Sequence, residues 1–526
     1  MAGLVQARPL HNPREVNRWV VTGSIIFGTL MGAIDTSIVN VALPNIRASL
    51  GVTLTEVSWV ATGYLVSVVV ILPLTPWLAS VIGRKNLYLA ALVLFTAASF
   101  CCGLSPTLPI LLFFRIVQGM GAGLMQPIAM AVLREVFPPA EQAMAMSIFG
   151  VAILLGPAIG PTLGGWLTDN YGWPWIFFIN IPIGVLTVLL ASQFLYDPPY
   201  LKRQRVSDVD YWGVGLLTIG LAALQTLLSE GQSKDWFESA LIASLTAIAV
   251  IALAAFVIWE LRAPNPAVDL TILANASFTS GTMLGGVLGL ALFGSMFLLP
   301  LFMQNLLGYD AMQSGIAMLP RSLVMMVAMP IAGRLYNHVG PRLMIGFGLG
   351  LAAVAAFQMG RFTAQTSYAG LIVPQVWQGV AFSFIFVSLS TAALARVPRP
   401  RMTNATALYN LVRQLGGSFG IAIIATLLEK RQAMVGLTLG ENLNIFNPAF
   451  MERYTAIMRA FVAQGIPSNE AGQKALALLN GVAQQQAAVM AIAYAFMLIG
   501  ILFVVTLPLV FLLRPRKDAI PSGPVE

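Results

Sequence analysis

The chain has 526 residues, of which 58% are hydrophobic and only 10% charged. Soluble globular proteins carry about 25% charged residues, and a soluble fold of this length could not hide so much apolar surface from water. Composition therefore excludes an ordinary soluble protein and predicts an all-α integral membrane protein, each crossing needing about 20 apolar residues. The formal net charge of +8 is assigned to basic loops facing lipid headgroups on one side of a membrane, with no call for nucleic acid. Cys101 and Cys102 are the only cysteines and are neighbours, a spacing that supports no disulfide framework. Arg8, Arg14 and Arg18 precede a long apolar run without a short apolar stretch and small-residue cleavage site, so the first span is expected to be uncleaved.

Apolar runs of spanning length fall near 19–43, 59–82, 86–104, 109–134, 142–168, 175–196, 211–228, 240–260, 278–306, 314–338, 343–362, 371–396, 403–428 and 484–513. These predict fourteen spans, of which the seventh and eighth are the least regular. With the N-terminus in the cytoplasm, Arg84, Lys85, Arg134, Lys202, Arg203, Arg205, Arg334, Arg342, Arg396, Arg399, Arg401, Arg514, Arg516 and Lys517 all fall on the inner side. The short outer loops hold only Arg47, Lys234 and Arg361. This asymmetry predicts cytoplasmic termini.

The chain repeats itself. An offset of 260 lays Gln118 and Gly119 on Gln378 and Gly379, Pro138 on Pro398, Gly156 on Gly416 and Gly160 on Gly420. An offset of 257 lays Pro73 on Pro330, Leu78 on Leu335 and Gly83 on Gly340. Ordered matches at a nearly constant offset predict two parallel six-helix halves. Residues 1–200 form the first bundle, 201–270 an inserted helix pair, and 271–526 the second bundle. An outer segment, 430–482, separates the last two spans; Ser468 is placed as the cap of a helix running into the last span.

Charged residues inside the spans carry the chemistry. Asp35 lies in the first span, where an unpaired carboxylate costs about 3 kcal/mol or more. Burial raises its pKa and a nearby cation lowers it, so a carboxylate poised between the two can take up and release a proton. Arg115 in the fourth span lies at a similar distance from the outer surface and is the expected partner, the two forming the proton-coupling pair. Arg413, near the middle of the thirteenth span, stays charged at any relevant pH and forks onto a carboxylate. With Asn410, Gln414, Gln118 and Arg321 it makes up the expected substrate-binding set. Arg321 is expected nearer the outer surface, where it could snorkel. One acid against Arg115, Arg321 and Arg413 leaves an excess of two positive charges in the spans, which predicts a preference for amphipathic acids over lipophilic cations.

Gly156, Pro157, Gly160, Pro161 and Gly164 sit in the fifth span. Glycines at a spacing of four make a groove that admits another helix, and the prolines remove backbone donors and bend the helix. The run predicts a hinge or a tight seam between the lobes. Gly83, Arg84 and Lys85 between spans 2 and 3, with Gly333, Gly340 and Arg342 around the equivalent turn, are expected at a cytoplasmic gate. A Walker-type phosphate loop is absent from the sequence, as is a nucleophile–base signature, and His11 and His338 stand far apart. Neither an enzyme nor a metal site nor a bound cofactor is expected.

These segments resemble the fourteen-helix drug:proton antiporters of the major facilitator superfamily, and among them the EmrB-like members. The stretch around Asp35 resembles the family's first-helix acidic motif, that around Arg115 and Gln118 its fourth-helix arginine motif, and 156–165 its antiporter motif. The runs 175–184, 235–237 and 259–261 resemble the EmrB-like members specifically. The family's second-to-third-helix motif opens with Gly and carries Asp; here Pro76 and Ser80 stand in those places, and Asn337 holds the acidic position of the second copy. The resemblance implies proton-driven export of amphipathic toxic compounds across a bacterial inner membrane. It also implies a periplasmic adaptor (EmrA-like) and an outer-membrane channel (TolC-like). Proton-coupled uptake and a non-transporting membrane receptor are the alternative readings.

Overall fold

A computed structural model describes residues 17–197 and 210–512. The basic residues expected at Arg8, Arg14, Lys202, Arg203, Arg205, Arg514, Arg516 and Lys517 lie outside that range. Fourteen helices among the described residues are long and apolar enough to cross a membrane. They are α1 (Arg18–Leu50), α2 (Leu54–Ile82), α3 (Arg84–Gly103), α4 (Leu108–Val136), α5 (Pro139–Tyr171), α6 (Trp175–Phe194) and α7 (Tyr211–Glu230). There follow α8 (Ala240–Glu260), α9 (Ala276–Asn305), α10 (Ala311–Val339), α11 (Pro341–Met359), α12 (Tyr368–Leu394), α13 (Met402–Gly440) and α14 (Ser468–Thr506). An even number of crossings puts both described ends on one face, called here the terminal face.

Helices α1–α6 form one bundle and α9–α14 the other, with α7 and α8 paired against each other and α7 lying on α2. The predicted architecture, two six-helix bundles plus an inserted pair, is the one observed. α1 runs on through Pro44 to Leu50, a full seven residues beyond its expected end, and stops at Gly51. Gly51 takes the left-handed conformation (φ 65°) that glycine adopts without a Cβ penalty. α2 is interrupted at Leu72–Leu74 by a short 3₁₀ turn, where Pro73 supplies no backbone N–H.

The glycines of α5 differ in place from the expectation. They face α1 inside the first bundle, not the seam between bundles. A Cβ at Gly156 would lie 2.5 Å from Ala33 C, one at Gly164 2.8 Å from Ile38 Cγ1, and one at Gly160 would strike Ser37 Oγ. The close approach lets Ser37 Oγ donate to Gly156 O at 3.1 Å. The second bundle repeats the device: a Cβ at Gly416 would lie 2.8 Å from Gly286 C, and one at Gly420 2.7 Å from Leu290 Cα. The seam between bundles uses another face of α5, where Gly150 meets Phe386 and Gly315 of α10 meets Thr162.

α13 and α14 are each 39 residues long, about 58 Å at 1.5 Å per residue, against a hydrocarbon core of about 30 Å. Much of each therefore stands outside the bilayer on the face away from the termini, joined through a separate helix, Pro448–Ala463. The outer segment is helical, as expected. Its cap differs: Ser468 is the first helical residue, and Pro467 precedes it without a side-chain cap bond. Leu437, Ile445 and Phe446 on this projection are strongly exposed, Phe446 at 87%.

Candidate functional site

Asp35 and Arg115 meet. Arg115 Nη1 lies 2.6 Å from Asp35 Oδ2, and both side chains are fully buried. Gln118 Nε2 donates to Asp35 Oδ1 at 2.8 Å, while its own Oε1 accepts from Arg115 Nη1 at 2.8 Å. Arg115 Nε donates to Val60 O at 3.1 Å, and its guanidinium lies 4.2 Å from the centroid of the Tyr64 ring. Asn180 Nδ2 is the third donor to the carboxylate, at 3.1 Å from Oδ1, and bonds Ser99 Oγ at 3.0 Å. Five helices, α1, α2, α3, α4 and α6, thus converge on one carboxylate.

The local sequence explains this convergence. Arg115 and Gln118 are three residues apart on α4 and so share a face. Asp35 lies on the α1 face flanked by small residues, with Gly32 and Ala33 nearby. Tyr64 closes the set by donating to Gly32 O at 3.3 Å. Gln118, grouped by sequence with the substrate residues, belongs here instead. Asn180, Ser99 and Tyr64 were not singled out from sequence. A lone Asn in the apolar run of α6 was the available signal, since a buried amide needs a partner.

Arg413 is buried on α13. Its Nη2 donates to Asn410 Oδ1 at 3.0 Å, its guanidinium lies 5.9 Å from the Phe386 ring, and its Nε has no acceptor. Asn410 Nδ2 in turn reaches Met130 Sδ of the first bundle at 3.5 Å. Arg413 and Asn410 therefore stand where the bundles touch. Gln414 is half-buried beside them. Arg321 is not near the surface and does not snorkel: its side chain is fully buried, and none of its nitrogens has a hydrogen-bond partner. A separate cleft of about 500 Å³, lined by Gln232, Phe297, Asn305, Glu429 and Gln484, opens on the face away from the termini and holds none of these residues.

The expected gate residues divide. Arg84 bridges the bundles: Nη1 pairs with Glu135 at 2.5 Å and Nη2 donates to Thr403 Oγ1 of α13 at 3.0 Å. Lys85 Nζ instead bonds Ser192 O, and its backbone N–H bonds Asp197, both within the first bundle. Arg342 Nη2 bonds Phe511 O within the second. Gly83 (φ 92°) and Gly340 (φ 85°) end α2 and α10 in equivalent left-handed turns. A Cβ at Gly333 would lie 3.1 Å from Ala143 O. Asn337, in the expected acidic position, donates to Ala140 O at 2.6 Å. Arg134, which the sequence reading placed only in a loop, is buried and donates to Thr391 O at 3.4 Å. With Thr406 to Pro127 O at 3.0 Å, five hydrogen bonds among the described residues join the two bundles. All five lie toward the terminal face.

Two six-helix bundles in contact, with an intramembrane ion pair in one of them, are the arrangement of a membrane transporter. The Major Facilitator Superfamily model matches residues 25–421. The Multidrug export protein EmrB of Escherichia coli K12 is 35% identical over 453 residues, covering 86% of this chain and 88% of the relative. The Fatty acid resistance protein FarB of Neisseria gonorrhoeae is 32% identical over 94% of this chain and 96% of its own length. Among solved structures, the proton:xylose symporter XylE superposes with a TM-score of 0.61 at 11% identity, over 95% of this chain and 96% of that one. The chain belongs to the major facilitator superfamily, as an EmrB-like member.

The pair carries a stability prediction. Arg115→Ala strands Asp35 in a dry bundle, and breaking a buried pair costs about 3–5 kcal/mol. Arg115→Lys keeps the charge but loses the Val60 bond and the stacking on Tyr64. Thermal unfolding of the purified variants is expected to rank wild type above Lys and Lys above Ala. Ala matching wild type would show that the pair holds nothing in place.

Proposed function

We propose that this protein is a proton-coupled antiporter that exports amphipathic toxic compounds across a bacterial inner membrane. The observation that carries the reading is the fully buried Asp35–Arg115 pair with its three amide and guanidinium donors. A carboxylate inside the spans whose counter-charge sits on another helix can take up and release a proton as those helices shift. Asp35 is the proton carrier, Arg115 its counter-charge, and Gln118 and Asn180 hold the carboxylate in position. In alternating access the bundles rock about the centre. The five bonds at the terminal face, read as cytoplasmic, close the inner side and must break for it to open. Export of drugs follows EmrB and its relatives, and the positive-inside bias supports cytoplasmic termini.

Arg413, Asn410 and Gln414 are proposed to meet the substrate where the bundles touch, favouring acids. The name of FarB concerns fatty acids, which are amphipathic acids. The projecting ends of α13 and α14, with the helix between them, are proposed to meet a periplasmic adaptor, through which an outer-membrane channel would complete the export path. Ile445 and Phe446 at its tip are large apolar side chains that stand strongly exposed.

Three measurements test these statements. Asp35→Asn, reconstituted in liposomes, is expected to fold and to lose export driven by an imposed pH gradient; retained export would remove Asp35 from the proton path. Arg413→Ala is expected to lose export of an aromatic carboxylic acid while keeping a quaternary ammonium dye. Equal loss of both, or a wild type that moves only the dye, goes against the acid preference. A photocrosslinker at Phe446 is expected to capture a periplasmic adaptor in cells, and Phe446→Asp to lower resistance at unchanged membrane abundance; a variant with full resistance would leave the projection without a partner.

A further inference from the structure

The repeat extends to the ion-pair site itself, with one charge missing. At the offset of 260, Arg115 falls on Gln375 and Gln118 on Gln378, and at 257 Tyr64 falls on Arg321; Ser295 of α9 takes the bond from Gln378 that Asp35 of α1 takes from Gln118. Two of the bonds have counterparts. Gln118 Nε2 donates to Asp35 Oδ1 at 2.8 Å, and Gln378 Nε2 to Ser295 Oγ at 2.7 Å. Arg115 Nε donates to Val60 O at 3.1 Å, and Gln375 Nε2 to Ala317 O, its equivalent, at 2.8 Å. A Cβ at Gly119 would lie 2.6 Å from Tyr64 O, and one at Gly379 2.7 Å from Arg321 O. The two clusters are thus copies, and the cation has moved from α4 in one to α10, the partner of α2, in the other.

The carboxylate has not moved with it. Ser295 is the partner of Gln378 as Asp35 is of Gln118, so the second cluster keeps a guanidinium and, among the described residues, has no anion. Arg321 is fully buried, and its Nε, Nη1 and Nη2 all lack acceptors. Gln375 Oε1 and Gln378 Oε1 are also unpartnered and out of hydrogen-bond reach of it. Arg321 and Gln378 each follow the start of their helices by ten residues, and Ser295 precedes the end of α9 by ten. All three sit about 15 Å in from the face opposite the termini, near the middle of the hydrocarbon. A lone guanidinium at that depth is strongly disfavoured unless an anion joins it.

We propose that Arg321, Ser295 and Gln378 form a carboxylate site in the second bundle, in which the bound ligand supplies the anion that Asp35 supplies in the first. The guanidinium fork matches the two oxygens of a carboxylate, and the Ser295 hydroxyl adds a further donor. The proposal deepens the acid preference put forward above by giving the acid group a second place to bind, and it rests on that reading for the source of the ligand.

The test uses purified full-length protein in detergent with no pH gradient. Binding of benzoate is measured calorimetrically beside benzyl alcohol and benzylammonium, its neutral and cationic counterparts. Benzoate alone is expected to bind. Ser295→Asp restores the internal carboxylate; it is expected to melt at a higher temperature than wild type without ligand and to bind benzoate at least about tenfold more weakly, a change of about 1.4 kcal/mol. Arg321→Gln is expected to lose this benzoate site and to leave the one at Arg413; if it does not fold, Ser295→Asp carries the test alone. Acetate competing as well as benzoate assigns the site to small free carboxylates, and acetate failing to compete assigns it to amphipathic acids. Benzoate binding no better than benzyl alcohol, or Ser295→Asp melting lower than wild type and binding benzoate equally well, overturns the proposal. Export of a cationic dye by wild type in liposomes is read separately, so the efflux reading and this site fail independently.

Discussion

A charge inside a bilayer has to be answered by another group, and the first bundle is arranged around one such answer. Asp35 and Arg115 share a volume that excludes water, so every remaining lone pair and N–H must find a protein partner. Gln118, Asn180, Val60 O and the Tyr64 ring supply them. Those partners come from three helices besides α1, namely α2, α4 and α6. The carboxylate is therefore also a register mark: if α4 or α6 slides along its neighbours, a buried bond is lost. The glycine face of α5 serves the same end from the other side, since it lets α1 approach closely enough for Ser37 to bond Gly156 O.

The two bundles began from one plan and diverged in charge while keeping their packing. Gly119 and Gly379 press on equivalent backbone oxygens, and Gly83 and Gly340 turn the chain with nearly the same φ. Backbone geometry of this kind tolerates few substitutions, because a Cβ would collide. Side-chain charge is freer to change, provided each bundle remains electrically tolerable in lipid. The first bundle meets that condition internally. Arg321 in the second has no internal answer, and that asymmetry distinguishes the halves more than any difference in fold.

Much of this was legible from the chain because the bilayer simplifies the rules. The number of spans, the parallel repeat, the inserted pair and the Asp35–Arg115 contact all followed from apolar run length and from the expense of an unpaired intramembrane charge. What was not legible depended on rotation about helix axes. The glycines of α5 were expected at the seam between bundles and instead face α1, because sequence spacing locates a face but not its neighbour. Arg321 was expected to snorkel on the strength of its depth, yet α12 packs over it through Gly379. Gln118 was grouped with Arg413, although three residues' separation from Arg115 already put it on the ion pair's face. Ser468 was read as a cap from its type, but the rigid Pro467 occupies that position.

The closure at the terminal face has the magnitude that a rocking transporter needs. Five hydrogen bonds span the bundles there, and each contributes roughly 0.5–1.5 kcal/mol net, or about 5 kcal/mol together. Driving a two-state equilibrium from one side to the other takes about 5.5 kcal/mol of differential binding. On the proposed function, bonds of this total strength would yield to one well-coupled ligand or protonation event. The inserted helices fit the same logic on the opposite face. Glu230 accepts from Thr62 of α2, while Trp236 Nε1 and Gln232 reach Thr426 and Glu429 of α13. The end of α7 and the turn after it thus touch both bundles, through one buried hydrogen bond to the Glu230 carboxylate and two more exposed ones to α13. Such a strap ties that face of the two bundles together.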